Sequence, residues 1–138
     1  MLSATLRVSL SALRQPADRV LNERHKADIV EATKGHELLA PFSLDAEVGN
    51  ALSAMFKRNR LSFNQARQAL IQFSEIPIRR TKLRLTEAAE LAYKNNIYAY
   101  DAYVLDCAQQ YRSPLLSLDN QLKAIGENLE LTILEISQ

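Results

Sequence analysis

A single cysteine, three glycines and no surplus of either charge characterise this chain of 138 residues. Cys107, being alone, cannot form an internal disulfide, which fits a reducing compartment. So few glycines exclude a glycine-rich phosphate loop, and with it P-loop nucleotide binding. Seventeen basic residues against sixteen acidic ones leave a formal charge of +1. Net charge therefore argues neither for nor against a polyanionic partner, and any basic surface must be local. No apolar run approaches the roughly 18–20 residues that a bilayer span requires. The opening stretch MLSATLRVSLSAL lacks a basic start followed by an uninterrupted apolar segment. Neither a membrane association nor a signal peptide is expected, and the chain reads as cytoplasmic. Internal repeats, low-complexity tracts and linkers are also missing.

What remains is a balanced chain with 47% hydrophobic residues, enough to bury a core as one domain over 1–138. Its pattern alternates. TLRVSLS (5–11) reads as a strand and 17–33 as an amphipathic helix with Gly35 as its C-cap. ELLAPF (37–42) is a short apolar strand. Helix 43–57 carries Leu44, Val48, Ala51, Leu52, Met55 and Phe56 on one stripe. Ser62 and Gln65 form a capping box for a helix running to about Phe73. IPIRR (76–80) reads as a strand, and Thr86 as the cap of a helix through Tyr93. The helix of Asp101, a strand LLSL, a helix over 121–127 and a strand LTILEI (131–136) complete the chain. Strands separated by helices predict an α/β fold, a three-layer α/β/α sandwich around a central, mainly parallel sheet.

In such a sheet the active crevice lies beyond the carboxyl ends of the strands. Glu47, Asp101 and Asp119 fall just after strands or in the first turns of helices. Asp101 also starts the core-facing stripe of Val104, Leu105, Ala108 and Tyr111, where a carboxylate needs hydrogen bonds, a cation or a metal. Each acid has a plainer role as well. Asp119 is a suitable N-cap for the helix beginning at Asn120, and Glu47 and Asp101 suit the positive end of a helix dipole. Together they make a plausible site for a hard divalent cation such as Mg²⁺, able to activate water and stabilise charge on a phosphodiester.

At this point ELLAPFSLDAEVGNAL, IPIRR and YAYDAYVLDCAQQYRSPLLSLDNQL resemble, in order and over nearly the whole chain, the PIN-domain ribonucleases. The likeness is greatest to the toxin component of VapBC-type toxin–antitoxin pairs. The resemblance implies an RNA-cleaving domain that uses Mg²⁺ or Mn²⁺ held by clustered acids, forms a homodimer and is neutralised by a cognate antitoxin. By motif position it assigns the catalytic and metal-binding acids to Glu47, Asp101 and Asp119, with Ser117 as the supporting small hydroxyl. The departure lies at the N-terminus. Where the family has V-D-x-S-x-L, this chain has Val8-Ser9-Leu10-Ser11-Ala12-Leu13, so Ser9 stands at a metal-ligand position that is normally aspartate. A neutral hydroxyl removes one negative charge from the cluster and weakens its hold on a hard cation. Asp18 is a less favoured substitute. Two readings follow: a metal-dependent endoribonuclease, or a catalytically weak or inactive relative that binds RNA or an antitoxin.

Other features carry less. Lys57, Arg58 and Arg60, and separately Arg79, Arg80, Lys82 and Arg84, are basic runs that suit RNA phosphates, an acidic antitoxin segment or plain solvation. Tyr93, Tyr98, Tyr100 and Tyr103 suit base stacking, with core and dimer packing as the default. His25 and His36 read as surface residues, and Cys107 has no catalytic partner pattern. A dimer is expected to bury Phe63 or Phe73 on the middle helices.

Overall fold

The computed structural model describes residues 2–6, 35–117 and 119–135. Five strands, β1 (Leu2–Leu6), β2 (His36–Pro41), β3 (Ile78–Thr81), β4 (Leu115–Leu116) and β5 (Ile133–Leu134), form one sheet in the order β3-β2-β1-β4-β5. Every pairing is parallel, with Thr5 opposite both Leu39 and Leu115. Among the described residues five helices accompany them: α1 (Ser43–Lys57), α2 (Phe63–Ser74), α3 (Leu85–Asn95), α4 (Ala99–Tyr111) and α5 (Asn120–Asn128).

The connections decide the layers. From β2 the chain moves outward to β3 through α1 and α2, then returns past β1 to β4 through α3 and α4, and goes on through α5 to β5. Right-handed crossovers that travel in opposite directions place their helices on opposite faces of the sheet. The buried side chains agree. Leu44, Val48 and Leu52 of α1 and Ala66 of α2 pack with Ala40 and Ile78 in one cluster. Ala88, Leu91, Ala102, Val104, Leu105 and Leu122 from α3, α4 and α5 pack with Leu115 in the other. The fold is thus the expected α/β sandwich.

Local chemistry sets most of the boundaries. Helix α1 spans the expected residues, and Ser62 caps α2 reciprocally with Gln65: the Gln65 N–H donates to Ser62 Oγ at 3.1 Å, and the Ser62 N–H to Gln65 Oε1 at 3.0 Å. Strand β1 covers residues 2–6, with Leu2 paired to His36 at the start of β2, so it begins before the expected Thr5; residues 7–11 of that expectation lie outside the described residues. The helix expected over 17–33 lies outside the described residues. Helix α3 begins at Leu85, one residue before Thr86, so Thr86 sits inside the first turn and Arg84 takes the N-cap position without a side-chain cap. Helix α4 is enclosed more fully than a single stripe requires, since Val104, Leu105, Asp106, Cys107 and Ala108 are all buried.

The ends of α1, α3, α4 and α5 share one device. Asn59, Asn96, Arg112 and Glu130 adopt positive φ between 50° and 64°. In each case the next N–H bonds back to a carbonyl five residues earlier: Arg60 to Met55, Ile97 to Ala92, Ser113 to Ala108 and Leu131 to Gly126. These are Schellman turns without glycine at the left-handed position, as suits a chain with so little of it.

Candidate functional site

The strand order reverses direction about β1, which has β2 on one side and β4 on the other. That is the topological switch point, and ligands of open parallel sheets bind beyond its carboxyl edge. Two of the expected acids reach this edge directly. Glu47 lies in the second turn of α1, which starts two residues after β2 ends. Asp119 lies three residues beyond β4. Asp101 arrives by a different route. Helix α4 leads through Ser113 and Pro114 into the start of β4, so it runs antiparallel to the strands and its first turn, holding Asp101, stands at the carboxyl edge.

The helices of Glu47 and Asp101 are tied together there: Asn50 Nδ2 donates to the Tyr100 hydroxyl at 3.4 Å. Tyr100 in turn meets Tyr103 edge-to-face, with ring centroids 6.5 Å apart. Glu47 is only 2% exposed, more enclosed than a residue bordering the α1 stripe. Asp101 is half-buried, at the head of a stripe whose Val104, Leu105 and Ala108 are buried as expected. Asp119 performs its plainer role in full: its Oδ1 accepts from the N–H groups of Gln121 (2.9 Å) and Leu122 (3.2 Å), capping α5. Ser117, fully buried, accepts the Asp119 N–H on its Oγ at 3.0 Å and so fixes the backbone that presents this carboxylate. Ser9 and Asp18 lie outside the described residues.

Are these acids suited to a divalent cation? All are carboxylates, the oxygen donors that Mg²⁺ and Mn²⁺ prefer, and Mg²⁺ needs only one or two of them with water and substrate oxygens. Among the described residues, however, no three His, Cys, Asp or Glu side chains stand close enough to hold a metal by themselves. The set fits a lightly ligated, hydrated ion rather than an all-protein cage.

Further polar contacts at this edge were not anticipated. Arg84, just past β3, grips the buried Asp106 of α4 through Nε (3.0 Å) and Nη2 (2.5 Å). Hydrogen bonding to Asp106 raises the Arg84 pKa further above its ordinary value. Arg80 holds Asp45 of α1 in the same bidentate manner, at 2.8 and 3.3 Å. The only signal in the sequence was an aspartate set inside the buried run VLDCA, a position that demands a cationic partner. The basic run that begins within β3 is therefore mostly structural, since Arg79 also lies over the Tyr111 ring and Arg80 over Phe73. Lys57, Arg58 and Arg60 are exposed at the far end of α1, which runs about 22 Å back from the carboxyl edge. Cys107 is buried with its Sγ 3.2 Å from the Thr81 hydroxyl, and His36 is half-buried rather than a surface residue. Tyr98, three residues before Asp101, is 86% exposed.

The model of the PIN domain family matches residues 10–128. Among solved structures, the crystal structure of PAE2754 from Pyrobaculum aerophilum is similar, with a TM-score of 0.61 and 20% sequence identity. The match covers 90% of this chain and 86% of that one, and at such identity it speaks to the fold alone. No curated protein matches the chain in sequence.

Proposed function

The chain belongs to the PIN domain family, and from that premise we propose that it is a metal-dependent endoribonuclease of the toxin–antitoxin, VapC-like type, comprising one domain over 1–138. The observation that supports this reading is that Glu47, Asp101 and Asp119, from three distant parts of the chain, all belong to segments that follow strands or open helices at the carboxyl edge beside β1. Asp101, Glu47 and Asp119, which also caps α5 through Oδ1, would hold Mg²⁺ or Mn²⁺ with water and RNA oxygens completing its shell. Such an ion would supply an activated water and would offset charge on the phosphodiester. Ser117 is a positioning residue, acting through the backbone of Asp119. Tyr98 offers an exposed ring beside Asp101 on which an unpaired base can stack. RNA, a cognate antitoxin and a second copy of the chain are the partners, in the cytoplasm. No helix among the described residues is long and apolar enough to cross a membrane.

Ser9 supports a second reading, a relative that binds RNA or an antitoxin but cuts weakly or not at all, because the cluster lacks one carboxylate. Calorimetric titration with Mn²⁺, paired with an RNA cleavage assay, separates the two. Natural protein that binds the ion and cuts RNA, with both lost in Asp101→Ala, supports the nuclease. Activity confined to Ser9→Asp supports the binding-only relative. Equal cleavage by natural protein and Asp101→Ala sinks the assignment of the acids.

A further inference from the structure

We propose that the N-terminus of α1 is a phosphate-binding subsite, built from its first-turn N–H groups and the Ser43 hydroxyl, which takes a backbone phosphate of the RNA. Four observations meet at this point. Helix α1 is long, 15 residues, and no side chain among the described residues caps its start, so there its first N–H donors and the positive end of its dipole lack the usual side-chain acceptor. Ser43, the first residue of the helix, is 7% exposed, yet its Oγ has no hydrogen-bond partner among the described residues. The Cα–Cβ bonds of a helix tilt toward its N-terminus, so the Ser43 side chain leaves the helix toward the end that carries those uncapped donors. Asp45, the one acid in the first turn, is held by Arg80 through both carboxylate oxygens, which draws its charge away from the opening.

A buried hydroxyl without a partner is a liability to folding, and alanine would be the more stable choice. A donor pointing the same way as uncapped N–H groups is what an anion with several oxygens needs. A phosphate is preferred to a carboxylate because it can take the hydroxyl and two or more N–H groups at once. Glu47 lies one turn along the same helix face, so the subsite adjoins the acids of the proposed reaction and rests on that reading for the identity of its ligand. It takes the phosphate in ground-state binding and does no chemistry.

The test uses the full chain and Ser43→Ala. Inorganic phosphate is titrated by calorimetry in Mg²⁺, and a single-stranded RNA dodecamer supplies KM and kcat. Loss of a hydrogen bond to a charged ligand should weaken phosphate binding and raise KM by roughly tenfold or more, with kcat within about threefold. The melting temperature of Ser43→Ala should equal or exceed that of the natural protein, since the orphan hydroxyl is gone. Phosphate binding unchanged in Ser43→Ala, absent from the natural protein at millimolar concentration, or lost together with melting temperature overturns the subsite. RNA cleavage that ignores Ser43 removes the subsite and leaves the nuclease. Ser43-dependent phosphate binding by a protein that cuts no RNA in Mg²⁺ or Mn²⁺ leaves the subsite and removes the nuclease.

Discussion

Arg112 and Glu130 occupy left-handed backbone positions, at φ 50° and 64°, where a side chain crowds the following carbonyl. Asn59 and Asn96 fill the same role at φ 53° and 52° with a residue that tolerates it better. The cost at the first two positions is not repaid by any side-chain contact that the Schellman turn needs, because the turn is made by backbone groups alone. Arg112→Gly and Glu130→Gly should therefore each stabilise the protein, by about 0.5–1 kcal/mol after the entropy of the extra glycine is set against the relieved strain. Urea denaturation would show a higher midpoint with an unchanged slope. Gly35 offers the reverse case: at φ +78° it is the residue the backbone prefers, and alanine there is strained although space is open around it. The two asparagines sit where a helix stop signal is readable. An arginine and a glutamate in left-handed geometry leave no trace in the sequence.

Helix α4 shows which parts of an element can be read in advance. Its apolar spacing placed Val104, Leu105, Ala108 and Tyr111 in the core with Asp101 at the head; the first three are buried, whereas Tyr111 is only half-buried at the helix end, under Arg79. Period alone could not show that the helix is covered on further sides, by α3 and by the sheet, so that Asp106 and Cys107 are enclosed too. Nor could it show that Arg84, 22 residues earlier, would answer Asp106, because pairing across elements depends on packing. The side chain of Asp106 is 5% exposed in this ion pair, so removing Arg84 leaves an uncompensated buried carboxylate. Arg84→Met should lower the melting temperature clearly, whereas the double change Arg84→Met, Asp106→Leu should recover most of the loss, since apolar replacements of buried ion pairs are often tolerated. A double variant less stable than Arg84→Met alone would show that the pair contributes beyond satisfying Asp106. Because α4 also carries Asp101, the single change should weaken metal-dependent activity along with stability.

At the scale of the whole molecule, the parallel sheet explains why the candidate site was legible and its details were not. Alternating strands and helices already imply a carboxyl edge, and the three acids could be assigned to it from their places after strands or at helix starts. The burial of Glu47, the capping bonds of Asp119 and the orphaned hydroxyl of Ser43 come from three-dimensional packing and have no signature in spacing. The same holds for the outer surface of α2. Phe63, Leu70 and Ile71 lie at i, i+7 and i+8 along one side of that helix and are exposed, Phe63 at 72%. Phe73, the other residue expected at a dimer interface, instead packs partly into the α1–α2 cluster beneath Arg80. An exposed apolar stripe on a helix that buries only Ala66 toward its own core suits a self-complementary contact about a twofold axis. The chain should therefore sediment at micromolar concentration with twice its 15.6 kDa mass. Phe63→Glu and Ile71→Glu, whose side chains face away from the core, should each shift the population to monomer by about tenfold or more in dissociation constant while leaving helical content unchanged, because desolvating a charge at an apolar contact opposes association. A dimer indifferent to both changes would move the interface off α2, and a monomer in the natural protein would overturn the self-contact on this stripe.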